Sequence, residues 1–290
     1  MGNRHTSKPG NARVPVVAYR NERFLDSPNA RTLRILAEYL EPQERLRRYG
    51  VQNTVVFFGS ARIGPREEAT QKLRELKSRR RQQGHAPGND EIRRAHKAVQ
   101  MSRYYEEARE LARLVTRWSL SLKNGPNYLV VCSGGGPGIM EAANRGAAEA
   151  GGKSVGLNIR LPVEQEPNPY ITPELSFLFR YFFMRKLWFA QPARAFVAFP
   201  GGYGTMDELW EFLTLIQTHK IRSHPTIMLY GSEFWKRAVN FHCLLEAGTV
   251  SEEDLKLIRF VDNPREAFEI LKRNLSRELA VRRAARHPFF

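Results

Sequence analysis

The stretch "YLVVCSGGGPGIMEAANRGAAEAGG", Tyr128 to Gly152, decides the fold. Tyr128 to Cys132 is a short apolar run of the kind that forms a buried strand. It passes directly into Ser133 and the glycines Gly134, Gly135, Gly136 and Gly138, and then into a small-residue helix. Pro137 stands early in that helix, where a missing N–H costs little. Strand, glycine loop and helix in immediate succession form the opening of a βαβ unit, which implies a parallel sheet.

The same alternation repeats outward in both directions. Thr54 to Phe58 of "NTVVFFGSAR" predicts a strand ending on Gly59-Ser60. "SVGLNI" (Ser154 to Ile159), "AFVAF" (Ala195 to Phe199) and "TIMLYG" (Thr226 to Gly231) predict three more, and "RFVD" (Arg259 to Asp262) is a candidate sixth. Helical spacing fills the gaps. "RTLRILAEYLEPQERLRRYG" follows the start signal Asp26-Ser27-Pro28-Asn29 and stops at Gly50. The run "ELSFLFRYFFMRKLWFAQPA", Glu174 to Ala193, reads as one apolar, aromatic helix. Helices are also expected from Ile92 to Leu120, from Thr205 to about Lys220, and from Pro264 onward. The expected fold is α/β, a Rossmann-like doubly wound parallel sheet with helices on both faces. Residues 1–22 read as a disordered basic arm. Residues 23–290 read as a single nucleotide-binding domain with a helical insertion at about 64–100 and a helical C-terminal extension.

Composition narrows the partners. The 290 residues hold 46 Lys and Arg against 30 Asp and Glu, a formal net charge of +16. That favours anionic ligands. The excess sits mainly in the N-terminal arm, in "KSRRRQQ" (Lys77 to Gln83) and in the C-terminal "LKRNLSRELAVRRAARH", which read as solvated faces rather than a nucleic-acid groove. Nucleic acid is therefore not the expected partner. No apolar run is long enough to span a membrane, and none near the start reads as a secretory signal. Two lone cysteines, Cys132 and Cys243, fit a reducing compartment and a cytoplasmic location. The seven histidines are scattered without ligand spacing, so no metal and no cofactor are expected.

Three loops at strand carboxyl ends carry the chemistry: Gly59-Ser60-Ala61, Ser133 to Gly138, and Gly201 to Thr205. Ligands of parallel sheets bind at this edge. Glycine lets backbone approach a ligand, and a helix N-terminus offers free N–H groups to a phosphate. Neither glycine loop is a Walker A motif, and neither is a clean dinucleotide fingerprint. Glu208 has two readings. Thr205-Met206-Asp207-Glu208 fits a capping box, in which Glu208 returns to the Thr205 N–H. Alternatively its carboxylate faces a ligand. Arg180, Arg185 and Lys186 lie on the aromatic run, as ligand cations or as rim charges and salt bridges.

"GGGPGIMEAANRGA", "MRK" (Met184 to Lys186) and "PGGYGTMDELWE" (Pro200 to Glu211) together resemble the LONELY GUY family of nucleoside 5'-monophosphate phosphoribohydrolases, often labelled lysine decarboxylases. The resemblance spans roughly Val55 to Tyr230, with a complete PGGxGTxxE match from Pro200 to Glu208. It implies a Rossmann-like homo-oligomer that cleaves AMP or a cytokinin riboside monophosphate to free base and ribose 5-phosphate without a cofactor. It makes Arg185 and Glu208 the catalytic pair. Gly201, Gly202, Gly204 and Thr205 would hold the 5'-phosphate. Gly59, Ser60, Gly134, Gly135, Gly136 and Lys186 would line the cleft. Plant members have "GGGSVGLMG" where this chain has Glu141 and Asn144, and the insertion and basic ends are extra, as in longer bacterial relatives. A general purine or pyrimidine monophosphate is then as well suited as a cytokinin precursor. The alternative on the same fold is a non-catalytic nucleotide or molybdenum-cofactor binding protein. Nothing in the sequence identifies a Schiff-base lysine for decarboxylation.

Overall fold

The structure, a computed structural model, describes residues 15–82, 88–122, 129–162, 166–221 and 225–285. The chain divides into two compact units, Met1–Glu41 and Pro42–Phe290. In the first, 3-10 turns at Ala18–Arg20 and Pro28–Ala30 flank α1 (Glu22–Leu25), and α2 (Arg31–Arg48) begins. Asn21 caps α1 by accepting from the Phe24 N–H at 3.2 Å. The Arg34 guanidinium donates to the carbonyls of Leu25 and Ser27, fastening the turn that precedes its own helix. Most of the expected basic arm, residues 1–14, lies outside the described residues.

The second unit begins with β1 (Asn53–Phe58), followed by α3 (Arg66–Gln82), α4 (Asn89–Met101), α5 (Arg103–Ser121), β2 (Leu129–Ser133), α6 (Ile139–Glu149) and β3 (Ser154–Ile159). Then come β4 (Ser176–Phe179), α7 (Phe182–Ala190), β5 (Ala193–Ala198), α8 (Tyr203–Gln217) and β6 (Thr226–Tyr230). The order closes with α9 (Ser232–Ala238), α10 (Phe241–Glu246), α11 (Glu252–Leu255), β7 (Ile258–Val261) and α12 (Pro264–Ala285). The strands form one all-parallel seven-stranded sheet in the order β4-β3-β2-β1-β5-β6-β7. The chain builds outward from β1 to β4, then returns to lay β5 against the other side of β1. The order therefore reverses between β1 and β5, the point at which doubly wound sheets open a ligand crevice.

Alternation along each strand loads both faces of the sheet. In β1, Val56 and Phe58 pack with Trp188 and Phe189 of α7, Leu209 and Phe212 of α8, and Trp235 of α9. Val55 and Phe57 face the other way, onto Tyr105, Leu111 and Val115 of α5, Ile139 and Ala143 of α6, and Leu271 of α12. The stretch read as an insertion is occupied by α3 and α4, which share a small cluster of Leu73, Leu76 and Ala95. Part of the predicted "GHAPGND" break, residues 84–87, lies outside the described residues, as does Tyr128 of the second strand.

The single aromatic helix expected over Glu174 to Ala193 is corrected. Its first half is a 3-10 turn, Pro173–Leu175, and the parallel strand β4, and only Phe182–Ala190 is helical. Ser176 to Phe179 pair with Gly156 to Ile159 of β3. The sheet thus has seven strands, one more than the six read from the sequence. The predicted helix from Ile92 to Leu120 is also broken, at Ser102, whose hydroxyl donates to the Val99 carbonyl at 2.7 Å.

Candidate functional site

The loops after β1 and β5 meet at the switch point. The Ser60 N–H donates to the Pro200 carbonyl at 3.0 Å, and the Ser60 carbonyl accepts from the Ile139 N–H at 3.2 Å. Ser60 thereby caps α6 through its backbone. Gly59 is needed there because a Cβ would stand 2.7 Å from Ile139. Gly138, at φ +72°, passes against the Ser60 and Ala61 backbone and admits no side chain. The first turn of α6 is therefore partly occupied by protein.

The first turn of α8 is open. Gly202 is its N-cap residue and supplies no side-chain cap. Backbone bonding starts at the Met206 N–H, which donates to the Gly202 carbonyl at 3.0 Å, and no described group accepts from the N–H of Tyr203, Gly204 or Thr205. The capping-box reading fails here, because Thr205 is the third helical residue rather than the residue before the helix. The Thr205 side chain is buried and folds back against Gly201, in the space a Cβ would need. Gly202 and Gly204 have open space around them. Three free donors at the positive end of a helix form an anion seat.

Glu208 lies one turn further along α8, only 3 % exposed. No described group donates a hydrogen bond to its carboxylate, so it is not the partner of a cap. Burial pushes its pKa up to about 7, while Arg185 and Lys186 pull in the opposite direction. Arg185, on α7, is also buried. Its Nε donates to the Leu157 carbonyl of β3 at 2.8 Å, and its guanidinium lies 5.1 Å from the Phe189 ring centre. Burial lowers its pKa and Glu208 raises it. A Cβ on Gly134 would stand 2.7 Å from the Arg185 Nη2, so the glycine loop after β2 forms the wall of the guanidinium pocket. The fold thus brings Arg185, Glu208, Gly134 and the α8 N-terminus to one edge of the sheet.

Lys186 is placed differently. Its Nζ sits 2.8 Å from both Asp207 Oδ1 and Glu211 Oε2 of α8. Burial lowers its pKa, but those two carboxylates outweigh burial and leave it above its ordinary value. The ammonium ties α7 to α8, the helices that carry Arg185 and Glu208. Arg180 lies in the turn between β4 and α7. Cys132 is buried in the core, and burial raises its thiol pKa.

The residues around Gly134–Gly136 were not anticipated. The Gly135 N–H donates to Ser133 Oγ at 3.0 Å, so it is not free for a ligand. Asn168 and Asn144 complete a buried polar cluster behind the loop. Gly135, at φ +75°, has Asn158 where a Cβ would go. The two departures from the plant motif acquire roles as well. Asn144 accepts from Ser133 Oγ at 2.6 Å and donates to Ser154 Oγ at 3.0 Å. Glu141 accepts from the Tyr105 hydroxyl at 2.6 Å, joining α6 to α5.

Among the described residues no group of three or more His, Cys, Asp or Glu side chains is arranged to hold a metal ion. None of the described helices is long and apolar enough to cross a membrane.

The reversed strand order, with small-residue loops at its switch point, places the protein in the Rossmann-like α/β class. Residues 140–271, which include Arg185 and Glu208, match the family model described as "Possible lysine decarboxylase". Over that stretch, just under half of its length, the chain is similar to this family, whose label LONELY GUY-type proteins share. No curated protein matches the chain. Solved structures similar to it include two that cover most of its length. The X-ray structure of TM1055, a structural-genomics target, is 19% identical, with 76% of this chain and 99% of that one covered at a TM-score of 0.44. The Moco carrier protein from Chlamydomonas reinhardtii is 18% identical, with 78% and 99% covered at the same TM-score. Likenesses at that level carry no weight on function.

Proposed function

We propose that the protein hydrolyses the N-glycosidic bond of nucleoside 5'-monophosphates, releasing free base and ribose 5-phosphate. One observation carries this reading. Glu208 is a buried carboxylate with no hydrogen-bond donor among the described residues, set beside Arg185 and one turn along from an open helix N-terminus.

A 5'-phosphate seated on the free N–H groups of Tyr203, Gly204 and Thr205 fixes one end of the ribose. The anomeric carbon then falls to the next turn, where Glu208 waits. As the C1'–N bond breaks, the bonding pair leaves with the base and the sugar becomes oxocarbenium-like; the one proton the base gains is balanced by the one the attacking water gives up. An ionised Glu208 stabilises that cation and accepts a proton from the water whose oxygen bonds to C1'. With a pKa near 7 the carboxylate is a stronger base than one in water, yet still ionised in a useful fraction at neutral pH. Arg185 limits the upward shift and steadies the carboxylate. Gly59, Ser60 and Gly134 to Gly136 shape the cleft walls, and Lys186 holds α7 and α8 together. Lysine decarboxylation is a poorer reading. A Schiff-base amine needs a depressed pKa, and Lys186, which lies beside Glu208, is held above its ordinary value by two carboxylates.

The test is a panel of nucleoside monophosphates assayed for free base. AMP or another 5'-monophosphate is expected to turn over, and adenosine, which lacks the anchoring phosphate, is not. Glu208→Gln should cut base release by roughly 10²-fold or more while leaving phosphate-dependent binding intact. Equal turnover of adenosine and AMP, or a fully active Glu208→Gln, would overturn the assignment. Tight nucleotide binding with no release of base from any nucleotide would favour the non-catalytic binding protein.

A further inference from the structure

A loop of three glycines has little preference of its own for the direction its peptide groups face. Here that direction matters, because the loop backbone is the wall against which the Arg185 guanidinium rests. The side chain that settles it comes from neither the loop nor its helix. Asn168, in the segment between β3 and the 3-10 turn before β4, is 6 % exposed. Its Nδ2 donates to the carbonyls of Gly135 and Gly136, both at 3.1 Å, and to Asn144 Oδ1 at 2.9 Å. Its backbone N–H also donates to the Gly135 carbonyl, at 2.8 Å. Its own Oδ1 is held by the Tyr170 N–H at 3.2 Å. Asn144 is fixed in turn by Ser133 and Ser154, and Ser133 Oγ also receives the Gly135 N–H.

The cluster occupies the Gly135 and Gly136 carbonyls and the Gly135 N–H with buried partners, so the peptides that carry them cannot turn without orphaning several polar groups. Free to rotate, the same carbonyls would turn partial negative charge toward the cleft, where they would repel a phosphorylated ligand and the Glu208 carboxylate and compete for the Arg185 guanidinium.

We infer that Asn168 is a positioning residue for the site: it locks the Gly134–Gly136 loop in the orientation that seats Arg185 opposite Glu208. As a role in catalysis this rests on the reaction proposed above, but the seating of Arg185 can be read without it.

Two variants and one control test it. Asn168→Ala removes the donor, and Asn168→Asp replaces it with an acceptor facing two carbonyls. Asn274→Ala is the control; it removes a bond to Thr226 Oγ1 from α12, away from the carboxyl edge of the sheet. The readout independent of activity is proton exchange at the Arg185 Nε, which is protected in the wild type by the Leu157 carbonyl. Exchange should quicken in both Asn168 variants and stay unchanged in Asn274→Ala at comparable melting temperature. In the base-release assay, kcat should fall roughly 10-fold or more, as for a misplaced catalytic group, while the Kd for ribose 5-phosphate changes little, since the α8 N–H groups are untouched. An Arg185 Nε that exchanges at the wild-type rate in Asn168→Ala overturns the inference. So does rapid exchange of the Asn168 side-chain amide in the wild type, a measurement that needs no variant to fold. If the Arg185 signal responds but the wild type releases no base from any nucleotide, the positioning role stands and the proposed reaction falls.

Discussion

Glu208 is a buried carboxylate with no hydrogen-bond donor among the described residues, and its burial has a cost which depends on pH. Its folded-state pKa of about 7 lies above the ordinary carboxylate value, so the folded protein binds this proton more tightly than the unfolded chain does. The stabilisation is fully present below the unfolded pKa and is lost as pH rises through the folded one. Between those limits the loss amounts to at most roughly 3–4 kcal/mol, from about 1.4 kcal/mol per pKa unit. Wild-type melting temperature should therefore fall from about pH 5 to about pH 8 relative to Glu208→Gln, which cannot ionise. Base release should rise over the same interval, as the catalytic form is the ionised one. Parallel melting curves for the two proteins at every pH would show that Glu208 does not titrate in this window. The motif around Glu208 was legible because its glycines, threonine and glutamate are contiguous. The capping-box alternative was equally legible and wrong, because it turns on where the helix begins. With Gly202 as N-cap, the helix starts two residues before Thr205. Asn168 was not legible at all. Its partners, Gly135 and Gly136, lie more than thirty residues away, and a lone Asn in a Pro-rich segment reads locally as a turn residue.

Elements whose character is set by their own pattern were read closely, and those set by a neighbour were not. β3 coincides with the predicted Ser154–Ile159, and β1, β2, β5, β6 and β7 fall within one or two residues of their predicted limits. β4 is the exception, since the sequence reads it as part of a helix. "SFLF" is a continuous apolar run, and such a run carries no periodicity that separates strand from helix. Pairing along β3 decides it. The approach of α5 to α6 is another neighbour effect, and Gly146 sits at its centre. A Cβ there would collide with the Arg109 carbonyl and stand 3.1 Å from the Ala112 Cβ. Backbone on a facing helix cannot give way as a flexible side-chain end can. Gly146→Ala should therefore force the helices apart against the gain in helix propensity, a net cost on the order of 1–3 kcal/mol, as for other overpacked cores. Denaturant unfolding measures it. Because α6 begins at the glycine loop, base release should fall as well. A neutral or stabilising Gly146→Ala would mean that α5 and α6 are not held at this spacing.

At the scale of the whole molecule the sequence pointed to a homo-oligomer, on the argument that one aromatic helix exposed more apolar surface than a sheet face could cover. The structure changes that argument. Phe179, Trp188 and Phe189 are core residues, while Leu178, Phe182 and Phe183 remain exposed, at 66 %, 51 % and 48 %. These three lie on β4 and the first turn of α7. β4 is the terminal strand of the sheet, so one of its edges has no partner strand among the described residues. An apolar side chain on an unpaired edge invites association with another chain. We propose that this edge joins two copies of the protein. The formal net charge of +16 opposes the union, since each copy repels the other. Salt screens that repulsion without weakening apolar burial. Association should therefore tighten as salt is raised, the opposite of an interface held by complementary charges. Sedimentation at micromolar concentration should show a dimer or larger species, strengthened by salt. A charge placed on the edge, as in Leu178→Arg or Phe183→Glu, should shift it toward monomer with little change in melting temperature. A monomer at all salt concentrations would leave these side chains without an explanation, and oligomers that loosen as salt rises would place the interface elsewhere.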